Sequence, residues 1–222
     1  MNINKAALDY WNDESQKYLS PFTKEQISDI ETLVSKKLPD DLINFLTQFA
    51  GVDLGVGTIN DPIAFFVVTV SKGTKFFAGI EADKYTVGIG RFSTFEDMFN
   101  VYTTLTGDSP HFDAEARIPD YMLPIDSDGT LYINLSEKNY GEISLWEPIE
   151  ETWGNEHNNS MDFVAKSFTE FIESLASLDE AEKQLPEKPE NQFVGSNTWK
   201  NLMKKITGSD DPNVWESFIQ KK

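Results

Sequence analysis

His111 and His157 are the two imidazoles of the chain, and both lie in polar stretches rather than on a periodic helix face. A pair of metal-binding histidines on one helix needs a spacing such as His-x-x-x-His, and neither belongs to one. Ser109, His111 and Asp113 have the residue types of a nucleophile, its base and an orienting acid. A triad works because its members converge in space, and alternate positions on one loop do not converge. The three read as exposed loop residues. Cysteine is absent, which removes thiol nucleophiles, thiolate zinc sites and disulfides, and fits a reducing compartment.

Asp126-Ser127-Asp128-Gly129 has the acidic opening of a calcium loop. An EF-hand loop carries glycine at its sixth position and glutamate at its twelfth, whereas Gly129 is fourth from Asp126 and a strand pattern follows at once. The segment predicts a tight turn between Ile125 and Leu131. Gly55-Val56-Gly57 and Gly88-Ile89-Gly90 lack the third glycine, or the Gly-Lys-Ser/Thr ending, of a phosphate loop. No two carboxylates stand out as an acid and a base in opposed environments. No catalytic residue, metal or cofactor is therefore expected.

Charge says more. The 222 residues hold 37 acidic side chains against 19 basic ones, a net charge of −18. Residues 1–175 carry 29 acidic and 12 basic side chains, and residues 176–222 carry 8 and 7. From Asp108 to Glu173 there are 15 acidic residues against Arg117, Lys138 and Lys166. Such a surface repels nucleic acid and anionic membranes. A solubilising coat is one use for it, but a coat would be spread more evenly. A basic protein partner, steered in by the field, is the other. Aromatic rings among carboxylates make good anchors for a basic surface, which draws in Trp153 and Trp146. Trp146, at a strand end, reads as a core residue as well. The partner-binding candidates are Asp126, Asp128, Glu142, Trp146, Glu147, Glu150, Glu151 and Trp153.

The elements that must position these residues follow from periodicity and capping. Ala7, Leu8, Trp11, Tyr18 and Leu19 predict a first helix over residues 4–19, broken by Ser20-Pro21. Thr23 and Gln26 form a capping box ahead of Ile27, Ile30, Leu33 and Val34. Pro39 suits the first position of the next helix, with Asp40 and Asp41 in its first turn, where the dipole favours anions. Leu42, Phe45, Leu46 and Phe49 give that helix a buried stripe, and Gly51 ends it. Residues 64–70 and 75–80 predict a hairpin around Lys72-Gly73, with a third strand alternating through Tyr85, Val87 and Ile89. Ser93 and Glu96 predict another box, opening a helix through Met98 and Tyr102. Strands are expected at 122–125, 131–135 and 143–146, the last two joined by a turn at 138–141. Ser167 and Glu170 cap a helix carrying Phe171, Ile172 and Leu175. Pro186, Pro189 and Gly195 mark a linker, with short helices expected at 199–206 and 212–219. The class is α+β, a mainly antiparallel sheet flanked by helices. Residues 1–10 lack the apolar core of a signal peptide, and no apolar run approaches the ~20 residues of a membrane span, so a cytoplasmic location is expected.

Three segments in order resemble the SUKH superfamily. They are Ile30-Glu31 with Leu38-Pro39-Asp40-Asp41, then Leu123-Pro124-Ile125 with Asp128-Gly129 and the strands to Trp146, then Val164-Ala165-Lys166-Ser167-Phe168 with Phe171-Ile172. The chain departs from the family pattern at Ala50, Thr130 and Lys166, where Asn, Asp and Asp are common. The resemblance spans residues 22–178 and divides the chain into an N-terminal extension (1–21), a SUKH-like domain (22–178), and a linker with C-terminal helices (179–222). It implies an immunity protein, not an enzyme, that protects against a cognate polymorphic toxin, often a nuclease. The acidic concentration after Asp108 adds the expected mechanism, stoichiometric occupancy of a basic toxin. The superfamily also holds fungal cell-wall regulators, so a scaffold or regulatory interaction module is the alternative it implies.

Overall fold

The computed structural model describes residues 15–55, 64–71, 75–77, 80–108, 116–146 and 161–185, together with Lys204, Thr207 and Ser209. Two units divide the chain, residues 1–72 with 84–185, and residues 73–83 with 186–222. The first holds helices α1 (Lys24–Leu33), α2 (Asp40–Phe49), α3 (Phe95–Thr106), α4 (Phe168–Ser174) and α5 (Leu178–Glu182). Its six-stranded antiparallel sheet uses β1 (Phe65–Thr69), β4 (Lys84–Gly88), β5 (Met122–Pro124), β6 (Leu131–Asn134), β7 (Ile143–Leu145) and β8 (Asp162–Ala165), in the order β4-β1-β8-β7-β6-β5. In the second unit β2 (Lys75–Phe77) pairs with β3 (Ile80–Ala82). The expected α+β class holds.

Local signals set the helix starts. Thr23 Oγ1 accepts the Gln26 amide at 3.2 Å while Gln26 Oε1 accepts the Thr23 amide at 2.9 Å, closing the box ahead of α1. Farther along α1, the Glu31 carboxylate accepts Lys37 Nζ at 2.6 Å and the Leu38 amide at 3.1 Å. Burial opposes ionisation of Glu31, yet these donors outweigh it and hold its pKa below the ordinary value. Gly51 follows α2 with φ +79°, and a Cβ there would stand 2.1 Å from the Tyr18 carbonyl oxygen. Only glycine fits that approach.

Helix α2 buries Leu42, Phe45 and Leu46. Phe45 lies 4.6 Å from Phe92 and 4.9 Å from Phe168 between ring centroids, and Phe171 lies 5.3 Å from Phe66 of β1. Helix α4 thus packs one aromatic face onto both α2 and the sheet. It is short and depends on its caps. Ser167 Oγ accepts the Glu170 amide at 3.1 Å. Asp41 Oδ2 reaches across from α2 to accept the Thr169 amide at 2.8 Å and the Thr169 hydroxyl at 3.0 Å.

Several expectations shift. The hairpin joining 64–70 to 75–80 does not form, because β1 pairs with β4 along five positions, Phe65↔Gly88 to Thr69↔Lys84. That register buries Phe66, Val68 and Tyr85. The capping box ahead of α3 is Thr94/Asp97, one residue later than Ser93/Glu96. Ser93 is drawn inward, its amide bonded to the Ile125 carbonyl at 3.0 Å. Glu170 gives its carboxylate to the Lys166 amide, so Ser167 caps α4 without a reciprocal box. Strand β8 had no periodic signal, yet it lies between β1 and β7. Pro39 is the N-cap of α2 rather than its first helical residue. The first helix expected over 4–19 lies outside the described residues up to 14, and 15–18 form a turn. The helices expected at 199–206 and 212–219 lie outside them too, except for Lys204, which is helical.

The Asp41 tie predicts that D41A costs about 2 kcal/mol of unfolding free energy in urea titrations, because two backbone amides and a hydroxyl lose their acceptor. T169V, which keeps the amide bond, should cost less. Equal stability of D41A and the parent protein would contradict the tie.

Candidate functional site

The turn between β5 and β6 is built around one carboxylate. Asp126 is buried, and its Oδ1 accepts the amides of Thr130 at 2.9 Å and Leu131 at 2.8 Å. Its Oδ2 accepts the Thr130 hydroxyl at 2.6 Å. Gly129 closes the turn at φ +67°, and a Cβ there would stand 2.8 Å from Val101 Cγ1 of α3. The Ser127 amide bonds the Arg91 carbonyl at 2.9 Å, fastening the turn to the chain that enters α3. This is the tight turn expected between Ile125 and Leu131. The oxygens of Asp126 are occupied by the turn itself.

Asp128 stands exposed at the tip. Behind it lies Trp146, at the end of β7, with its amide bonded to the Thr130 carbonyl at 2.8 Å. The Trp146 ring is buried in a small apolar cluster with Ile118, Met122 and Tyr132, its centroid 6.0 Å from that of Tyr132. The Tyr132 hydroxyl donates to the Gly129 carbonyl, and burial pushes its pKa up. On the outer side the Arg117 guanidinium stands 5.6 Å from the Trp146 ring centroid. A groove of about 360 Å³ opens beside it, lined by Asn100, Val101, Thr104 and Leu105 of α3, by Arg117, and by Asp128 and Gly129 of the turn.

The structure brings three sequence candidates together at this corner, with unequal access. Asp128 faces outward, whereas Asp126 and Trp146 are interior and act on the surface through the turn and the ring they hold. Glu142 precedes β7 at its opposite end, half-buried, and burial pushes its carboxyl up. Glu147, Glu150, Glu151 and Trp153 lie outside the described residues, as do Ser109, His111, Asp113 and His157. Among the described residues no group of three or more His, Asp or Glu could hold a metal ion, and no helix is long and apolar enough to cross a membrane. Sequence reasoning missed Arg117 and the outer face of α3. One available signal was that Arg91 and Arg117 are the two arginines in a chain this acidic.

The family model described as SMI1 / KNR4 family (SUKH-1) matches residues 21–174. The chain belongs to the SMI1/KNR4 (SUKH-1) family. No curated protein and no solved structure matches it. Within this SUKH-1 chain several of the segments that carried the resemblance are caps and turns. Leu38-Pro39-Asp40-Asp41 opens α2, Asp128-Gly129 forms the β5–β6 turn, and Ser167-Phe168 opens α4.

Burial, opposed by the three donors and aided by nearby Asp128, pushes the Asp126 carboxyl up to about 6 from an ordinary value of 3.8. The folded state then binds more protons than the unfolded chain between these values. The contribution of Asp126 to stability is full below pH 4 and is lost as pH rises through about 6. D126N keeps an oxygen for the two amides and cannot ionise. Urea unfolding should show D126N gaining on the parent by on the order of 2 kcal/mol between pH 4 and pH 7. A difference that stays flat over that range would refute the assignment.

Proposed function

We propose that this SUKH-1 chain is an immunity protein that binds a cognate toxin and silences it by occupancy, transforming nothing itself. Membership of the family supports an immunity-type role, and one observation carries the mechanism. Acidic residues are concentrated in the body of the chain, 15 of them from Asp108 to Glu173 against three basic ones. A toxin that handles nucleic acid has a basic cleft, and carboxylates can stand in it where phosphates would. Asp128 and Glu142, with Glu147, Glu150 and Glu151, would supply that charge, and Trp153 an apolar anchor. Asp126 and Trp146 would hold the surface in shape from beneath. The location expected for this work is the cytoplasm, and neither nucleic acid nor membrane is a partner.

A scaffold or regulatory role is the second reading. It is favoured by the chain that continues past the family match, where residues 186–222 group with 73–83 as a separate unit. Deleting 186–222 would abolish a scaffold role and leave immunity largely intact.

Co-expression with the product of the adjacent gene should rescue growth and give a co-purifying complex. In that complex, association should slow roughly tenfold between low and physiological salt, and E150K/E151K should slow it further with little change in dissociation. Association indifferent to both would remove the electrostatic mechanism. Failure of both rescue and co-purification would remove the immunity reading.

A further inference from the structure

We propose that the groove between α3 and the Asp126–Thr130 turn is a docking site for an acidic side chain of a partner protein, selected by Arg117. The occupant is a segment that presents an aliphatic residue, a glutamate or aspartate, and a basic residue together. The inference does not depend on whether that partner is a toxin.

The two arginines of the chain are used differently. Arg91 pairs with Asp97 at 3.2 Å and lies 5.4 Å from the Tyr18 ring centroid. Arg117 is half-buried as a residue, and its guanidinium, over the Trp146 ring, forms no ion pair or hydrogen bond with any described residue, in a chain with 37 acidic side chains. A cation–π contact at this distance uses none of the guanidinium N–H donors, which stay free to bond elsewhere. Among the described residues this cation has no counterion, and a carboxylate is the complement that its fork of donors fits bidentately.

The other lining residues narrow the ligand. Val101 and Leu105 are half-buried and give the groove an aliphatic floor, with Asn100 and Thr104 beside them. A free small anion would leave that floor uncovered and meet the repulsion of a chain with net charge −18. Asp128 lines the same groove without pairing to Arg117, so the complement has a base as well as an acid. An aliphatic side chain on the floor, an acid on Arg117 and a base on Asp128 satisfy all three.

Methyl NMR of the full chain tests this with two capped peptides, acetyl-Leu-Glu-Ala-Lys-amide and its Gln counterpart. The Glu peptide should shift the Val101 and Leu105 methyl signals saturably, and the Gln peptide should bind roughly tenfold more weakly. R117K keeps a cation over Trp146 and loses the fork, so the Glu-over-Gln preference should fall at least about threefold. R117Q should abolish the preference, and its unfolding curve, with that of R117K, shows whether the fold is kept. Absence of methyl shifts up to ~10 mM peptide, equal binding of the two peptides, or an unchanged preference in a folded R117K would each overturn the proposal.

Discussion

The carboxylate of Asp41 accepts hydrogen bonds from three donors, two of them 128 positions away on Thr169, and much of the fold is organised around that tie. Helix α4 has seven residues, too few to hold together in water unaided. Its first amides need acceptors, and its aromatic face needs a surface. Asp41 and Ser167 meet the first need, and α2 and the sheet meet the second. The cluster of Phe45, Phe92, Phe168 and Phe171 closes over the join. Aromatic pairs at such separations contribute about 0.5–1.5 kcal/mol each beyond the apolar area they bury. Removing the acceptor would leave the rings in place and the helix end unsatisfied.

From that join, order passes outward along the sheet. Strand β8 leads into α4 and lies between β1 and β7, with the buried Asp162 accepting the Tyr85 hydroxyl at 2.9 Å and the Ser71 amide at 3.1 Å. Strand β7 ends at Trp146, whose amide is bonded to Thr130, and Thr130 is held by Asp126. The exposed tip at Asp128 is therefore the last link of a chain of buried contacts. Burying the Asp126 carboxyl is unfavourable for its charge, and its three donors recover only part of that. What the arrangement achieves is a turn with one geometry, fastened on one side to the entry of α3 and on the other to the end of β7.

The sequence made legible what is local. Thr23 and Gln26 announce a helix start because both halves of the box lie within four residues, and Gly51 and Gly129 mark positive φ where no side chain fits. The alternation through Tyr85 and Val87 declared a strand but not its partner, since β1 could pair with either of two later segments. Ser93 and Thr94 both fit a capping pattern, and only the bond from Ser93 to Ile125 selects between them. Strand β8 was hidden because the residues just before Ser167 read as the approach to a helix. In the site, the turn at Asp126 was legible from its composition, whereas the burial of its carboxylate was not. Arg117 carries no motif, and its meaning comes from Trp146 and Asp128, which only the fold brings near.

Acidity and the groove act over different distances, and this separates what each can decide. At physiological ionic strength a field of carboxylates reaches about 8 Å before ions screen it, enough to draw in and orient a basic surface. It cannot distinguish one basic surface from another of similar charge. A guanidinium over an indole, beside an aliphatic floor and one carboxylate, acts only in contact, and there a misplaced or missing acid forfeits the bidentate bonds. Mutations of such contacts change dissociation more than encounter. A protein that must recognise one partner among many basic ones needs this second kind of contact. A guanidinium with no ion-pair partner among the described residues, in a chain with twice as many acids as bases, is where such a contact can be made.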